Sequence, residues 1–108
     1  MLRFQQAVDQ NGLPIVGAIP QSDTIDMLVF TAAGTQSDTV PTGADLVYIS
    51  WTQGNLYVKV GGTSNIPSGN VTDGSGSAIN PSVRWIRGAT SISITADASC
   101  FVSLSYYS

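Results

Sequence analysis

The segment SISITADASCFVSLSYY, residues 91–107, alternates hydroxyl-bearing and apolar side chains on both sides of a short break at 97–99. Because successive side chains of a strand point to opposite faces, this alternation predicts two β-strands. A break of three small or polar residues between them predicts a hairpin. We therefore expect an antiparallel sheet at this end of the chain, with Cys100 as a buried, unreactive strand residue.

Three earlier segments repeat the pattern. Residues 24–30 and 45–51 each place apolar side chains on a common face, and the second has apolar side chains on both faces, which suits a central strand. Residues 56–60 follow the Gly-containing stretch 52–55, which predicts another hairpin. The side chains expected to share a face are Ile25, Met27 and Val29 in the first segment, and Val47, Ile49 and Trp51 in the second, opposite Leu46 and Tyr48.

No helical period competes with these strands over the 108 residues. The fold class predicted is all-β, a single antiparallel β-sandwich or jelly-roll-like domain over residues 1–108. Residues at about 61–81 form a long Gly-, Ser- and Pro-rich connection, which is unusual inside a compact domain. It carries spaced apolar residues, Ile66, Val71 and Ile79, and is expected to be an ordered arm laid over its own sheet or over a neighbouring subunit. A mobile surface loop is the alternative.

The composition excludes several classes of function. Histidine and glutamate are absent, lysine occurs once, and the formal net charge is -3. Phosphate backbones are bound through clustered Lys and Arg, so no nucleic acid partner is expected. No segment approaches the length of a membrane span, and the N-terminal residues show no signal-peptide pattern, so no membrane association is expected either.

Catalytic chemistry has few side chains to use. Nucleophilic catalysis requires a base, and without histidine only Lys59, on an ordinary strand, could serve. Aspartates could in principle form a glycosidase pair, but most lie at expected turns, where they bond to the local backbone. The stretch 73–77 resembles the start of a calcium loop whose required glutamate cannot exist here. We expect no enzyme activity, no metal and no cofactor.

Charged residues make up 10% of the chain, against about 25% in a typical soluble domain. Interfaces are depleted in Lys and Glu, so this composition favours a surface committed to neighbouring subunits. A secreted β domain with an uncharged surface would share the feature. Composition alone leaves both open.

Within this frame, part of the chain resembles a known class of proteins. The stretches IPSGNVTDGSGS (66–77), NP (80–81), RWIRGATSISI (84–94) and CFVSLSYY (100–107) resemble small proteins encoded among the head and virion structural genes of tailed bacteriophages and prophages. The resemblance covers about the C-terminal half of the chain. It implies a β-sandwich decoration, cement or minor capsid protein, often trimeric and seated on the capsid lattice.

The candidate partner-contact residues follow from hot-spot chemistry, which favours Trp, Tyr and Arg. Trp85 either contacts a partner or faces the core while the arginines beside it face water. The two C-terminal tyrosines should point to opposite faces, so one should be exposed unless a neighbouring chain covers it. The candidate residues are Arg84, Trp85, Arg87, Tyr106 and Tyr107, with Ile66, Val71 and Ile79 in the arm.

The function expected is a non-enzymatic virion structural protein, made in the host cytoplasm and bound to the capsid. It would be a homotrimer that bridges major capsid protein subunits or other virion proteins. One alternative is a tail, neck or fibre-base protein. Another is a carbohydrate-binding β-sandwich that uses Trp51, Trp85 or a tyrosine as a stacking platform.

Overall fold

The chain folds into two antiparallel four-stranded sheets packed face to face, so the predicted β-sandwich is confirmed. A computed structural model describes residues 1–3 and 20–108. The prediction that the N-terminal residues do not form a signal peptide concerns a stretch that lies largely within residues 4–19, which the structure does not describe. The strands are β1 (Thr24–Phe30), β2 (Gly34–Thr39), β3 (Leu46–Trp51), β4 (Leu56–Val60), β5 (Ala78–Ile79), β6 (Val83–Trp85), β7 (Ser91–Ala96) and β8 (Cys100–Tyr107).

The strand order identifies the sandwich as a jelly roll. Sheet I has the order β1-β8-β3-β6 and sheet II has the order β2-β7-β4-β5. The first strand pairs with the last, the second with the seventh, the third with the sixth and the fourth with the fifth. This is one long antiparallel hairpin rolled up so that successive pairs alternate between the two sheets, as in other eight-stranded jelly rolls.

Both predicted hairpins are wrong, although the strands that flank them are confirmed. β3 and β4 lie in different sheets, and so do β7 and β8. The short connections at 52–55 and 97–99 turn the corner between the sheets instead of folding a strand back on its neighbour. Of the described strands, only β4 and β5 are consecutive and paired, and the long arm separates them.

The core lies between the sheets and is built from the alternate residues of each strand. In sheet I, Val47, Ile49, Val102 and Leu104 are fully or almost fully buried, and in sheet II the corresponding residues come from β4 and β7. Cys100 is buried as expected, and burial raises the pKa of its thiol. A continuous apolar layer of this kind is the main stabilising contribution in a domain of this size.

β5 is only two residues long, and Asn80 holds it in place. The backbone N–H of Asn80 donates to Leu56 O at 2.8 Å, and its Oδ1 accepts the N–H of Leu56 at 2.8 Å. Asn80 has a φ of 50°, the left-handed region that asparagine tolerates better than most residues. The Asn-Pro pair thus ends β5 and directs the chain across to β6. Residues 1–3 and 20–108 contain no helix long and apolar enough to cross a membrane.

Candidate functional site

Trp85 is the most exposed of the large hydrophobic residues that the structure describes, at 63% of its full exposure. It is the last residue of β6, opposite Leu46 on the outer face of sheet I. The next residue, Ile86, is buried in the core, and its N–H donates to Asp45 O at 2.7 Å. Because Ile86 anchors the backbone, Trp85 and Arg87 on either side of it are both held outside.

Arg87 is fixed against both Trp85 and Asp45. Its guanidinium carbon lies 5.1 Å from the centroid of the Trp85 ring, within the range of a cation–π contact. Its Nε and Nη2 donate to the two carboxylate oxygens of Asp45, each at 3.2 Å. Hydrogen bonding to Asp45 raises the pKa of Arg87. This bidentate pairing orients the guanidinium over the indole, so the group is arranged before any partner arrives.

An open cleft of about 410 Å³ lies beside this group. The N-terminal Arg3 contributes to it, because Leu2 O accepts the N–H of Ser108 at 2.9 Å and so holds the chain end against β8. The cleft therefore brings two of the chain's four cationic side chains beside an exposed indole in an acidic protein. We name this set the Trp85 surface; its residues are Arg3, Asp45, Leu46, Trp85, Arg87 and Ser108.

The predicted arginines and tyrosines divide between surface and interior. Arg84 is exposed, and its Nη1 donates to the neighbouring Val83 O at 2.7 Å. Tyr106 and Tyr107 are both buried, so the expectation that one of them is exposed is wrong. The Tyr106 hydroxyl donates to Asp38 between the sheets, while the Tyr107 hydroxyl donates to Pro20 O on the outer face. The backbone at Pro20 thus holds the outer tyrosine, and because both rings are buried, neither is presented to a partner.

The arm, residues 61–77, lies on the outer face of sheet II. Ser64 is buried there, and its hydroxyl hydrogen-bonds with those of Ser93 at 2.9 Å and Thr95 at 2.8 Å. Lys59 Nζ donates to Ser75 O at 2.8 Å, which attaches the distal part of the arm. Two hydroxyls on outer positions of β7, those of Ser93 and Thr95, are thereby hydrogen-bonded to Ser64 of the arm. These contacts place the arm on its own sheet.

The candidate residues Ile66 and Val71 in the arm, and Ile79 in β5 directly after it, are all exposed. Val71 and Ile79 line a narrow cleft of about 250 Å³ between the arm and the edge of sheet II, with Tyr57 as its aromatic wall. This cleft contains no charged side chain. It forms a second surface, separate in its lining residues from the Trp85 surface.

One carboxylate pair comes together inside the sandwich. Asp26 on β1 and Asp38 on β2 face the interior, and the Tyr106 hydroxyl donates to Asp38 Oδ2 at 2.7 Å. Burial, together with the hydrogen bond and charge of Asp26, raises the pKa of Asp38 to about 6, although Tyr106 partly offsets this. The same contact and burial raise the pKa of Tyr106. The pair joins the two sheets at their open edge and does not flank a cleft, as a glycosidase pair would.

The raised pKa of Asp38 predicts a pH dependence of stability. A carboxyl whose pKa is higher in the folded than in the unfolded state stabilises the fold when protonated, so this contribution is lost as the pH rises from about 4 to about 6. We expect Asp38→Asn to raise the free energy of unfolding above that interval by about 1 kcal/mol, after allowance for solvent screening, and to flatten the slope within it. Urea denaturation as a function of pH measures both.

A matched control is Asp73→Asn. Hydrogen bonds from Ser75 lower the pKa of the exposed Asp73 carboxyl, so this group stabilises the fold only when ionised. Its replacement should leave the slope between pH 4 and 6 unchanged. If Asp38→Asn shows the same dependence of unfolding free energy on pH as the original chain, the assignment of this dependence to the Asp26–Asp38 pair is contradicted.

Two features of the surface had no signal in the sequence. Arg3 joins the Trp85 surface across the length of the chain, and no local pattern indicates this contact. The face shared by Ile25, Met27 and Val29 is on the outside of sheet I, and the polar Thr24 and Asp26 face inward with Leu28 and Phe30. An apolar face normally indicates the core side of a strand, so the alternation predicts which residues share a face but not which face is buried.

Comparison with known proteins finds no matching family model, no matching curated protein and no matching solved structure.

Proposed function

We propose that this protein is a non-enzymatic virion protein that binds the assembled capsid through the Trp85 surface and bridges neighbouring capsid subunits. The observation that carries the proposal is the arrangement of Trp85, Arg87 and Asp45: an exposed indole, a guanidinium over its ring and a carboxylate that orients the guanidinium. Aromatic and arginine side chains held in one conformation are typical of the centre of binding interfaces.

The fold and the composition support the same proposal. Jelly rolls occur in viral capsid proteins and in lectins, although a fold alone does not determine function. Low charge over most of the surface lowers the cost of desolvation when large areas are buried. A protein that binds only the assembled lattice adds buried area across subunit boundaries, so more contacts must break before the shell opens. The virion is the proposed location, and synthesis in the host cytoplasm precedes assembly.

The test is cosedimentation with capsids assembled without this protein, compared with unassembled capsid subunits. We expect Trp85→Ala to weaken capsid binding by about tenfold or more, as for a central aromatic contact. Arg87→Ser should weaken it as well, because the indole then loses its stacked partner. Tyr48→Ala, which removes another partly exposed aromatic ring of sheet I, serves as the matched control and should bind as the original chain does.

The result that contradicts the proposal is undiminished binding of both Trp85→Ala and the double variant in which Arg84 and Arg87 are replaced by serine. Equal binding to unassembled subunits would contradict the bridging role. Binding to purified tails but not to heads would move the protein to the tail, neck or fibre base.

A carbohydrate-binding function is the second candidate, and the exposure of Trp85 favours it. A flat indole beside a cleft is also a platform on which a sugar ring can stack. By contrast, Trp51 is unsuited to this role, because its Nε1 donates to Gly54 O at 2.9 Å and its ring packs against the core. Free sugar should compete for a glycan site and should leave a capsid interface unaffected.

A further inference from the structure

β1 lies at the end of sheet I, and β8 is its only paired neighbour among the described strands. The N–H and C=O of Phe101, opposite Val29, are hydrogen-bonded to Thr52 on the side of β3. The Val29 carbonyl accepts a hydrogen bond from the side chain of Gln36, whose Nε2 lies at 2.7 Å. The backbone groups of Val29 therefore point away from β8, and by alternation those of Ile25 and Met27 do the same.

The side chains of the same three residues form an exposed apolar strip on the outer face. Met27 is 58% exposed, and Phe101 extends the strip across β8 beside Val29. Edge strands of soluble proteins are usually protected by lysine, proline or a bulge. β1 has none of these, and the only protecting feature in it is the inward-facing charge of Asp26, which leaves its outer face uncharged. Among residues 1–3 and 20–108, only Gln36 reaches the outward backbone groups of β1, which leaves the other outward groups and the apolar face available for pairing.

We propose that β1 pairs antiparallel with β1 of a second copy of this chain, about a twofold axis at Met27. In this register Met27 faces Met27 of the second copy, and Ile25 faces Val29. Each of these pairs exchanges backbone hydrogen bonds through the groups that point away from β8. The Val29 carbonyl keeps its bond to Gln36, because a carbonyl oxygen has a second lone pair.

The occupant is a second copy because the strand is complementary to itself. Apolar residues two apart on either side of Met27 face each other in the twofold register, and Asp26 faces Leu28, so no charged residues are directly opposite each other. Such an isologous contact closes on itself and buries the strip of both copies. The interface shares no residue with the Trp85 surface, and it implies an even number of copies where the bacteriophage resemblance implies three.

Charge reversal at residue 27 tests this register. The native mass of the chain should rise to that of a dimer with increasing concentration. Met27→Lys and Met27→Glu should each weaken dimerisation by about tenfold or more, because like charges then meet at the axis. An equimolar mixture of the two variants should associate again, since lysine then faces glutamate. Ile79→Lys, the same kind of change on an exposed strand residue of sheet II, should leave the dimer unchanged.

A monomer at every concentration, or a trimer, would overturn the proposal. A dimer that Met27→Lys does not weaken, or two variants that fail to associate when mixed, would also overturn it. Far-ultraviolet circular dichroism of each variant verifies that the sandwich is intact. Because capsid binding is assigned to the Trp85 surface, cosedimentation of the Met27→Lys variant with capsids separates failure of this interface from failure of the proposed function.

Discussion

Replacement of Leu104 by alanine is expected to lower the free energy of unfolding by about 3–4 kcal/mol, the largest effect of any single change considered. Leu104 is fully buried on the inner face of β8. It lies between Asp26 on β1 and Ile49 on β3, in the middle of sheet I. Because both neighbouring strands are held by backbone pairing, the surrounding side chains have little freedom to move into the space that alanine leaves.

A loss of this size is a large part of the stability of a small domain. Thermal denaturation should show a fall in the midpoint of roughly 15–25 °C, and urea denaturation should show a lower midpoint with a similar slope. Ser103→Ala, one residue earlier on the outer face of the same strand, is the control and should cost less than about 0.5 kcal/mol. Comparable losses in the two variants would contradict the placement of the core between the sheets.

Much of the strand content was predictable, because alternation is a local property. Each segment with a continuous period of two became a strand, including residues 24–30 and 91–96, whose predicted bounds match. β2 was not predicted, since its sequence GTQSDT contains no apolar residue. It forms a strand because β7 supplies a full set of backbone partners, and this pairing cannot be seen in the segment itself.

The pairing of the strands was not predictable from the same signals. A short Gly-containing connection between two strands has the same composition whether it closes a hairpin or turns a corner between two sheets. In this fold the short connections turn corners, and the long arm separates the one consecutive pair. A short loop indicates that two strands pair only when consecutive strands lie in the same sheet. In this jelly roll nearly all consecutive described strands lie in different sheets.

The candidate site shows the same division between local and non-local information. The stretch 84–87 predicted either a partner contact or a Trp85 that faces the core, and the structure has Trp85 exposed beside Arg87, so the partner contact stays a prediction. The contribution of Asp45 depends on the pairing of β3 with β6, which no local pattern specifies. One of Tyr106 and Tyr107 was expected at the surface by alternation, but both are buried, and the Tyr107 hydroxyl donates to Pro20 O. Residue type predicted the chemistry, and only the topology determined which side chains meet.

The corner between β3 and β4 gives the second large effect, through Gly54. This residue has a φ of 76°, and a Cβ added to it would lie 2.6 Å from Asp97 Oδ1. Asp97 accepts the N–H of Asn55 at 2.8 Å with Oδ1 and its side-chain amide at 3.0 Å with Oδ2, so it ties the 52–55 corner to the 97–99 corner. Gly54→Ala therefore imposes backbone strain of about 1–2 kcal/mol and also displaces this carboxylate.

We expect Gly54→Ala to cost about 3 kcal/mol of unfolding free energy, which urea denaturation measures. Gly61→Ala is the matched control: its φ is 78°, but no atom lies within 4 Å of the added Cβ, so only the backbone strain of about 1–2 kcal/mol should appear.

Combining Gly54→Ala with Asp97→Ala should cost less than the sum of the two separate changes, because both break the same hydrogen bonds. Equal losses in the two glycine variants, or full additivity in the double variant, would show that the corners are not joined through the Asp97 carboxylate. The two loops predicted as separate hairpins would then be joined only by the Asp97 N–H to Asn55 O and the Gln53 Nε2 to Ser99 O hydrogen bonds, whereas the structure adds the Asp97 carboxylate as a third link.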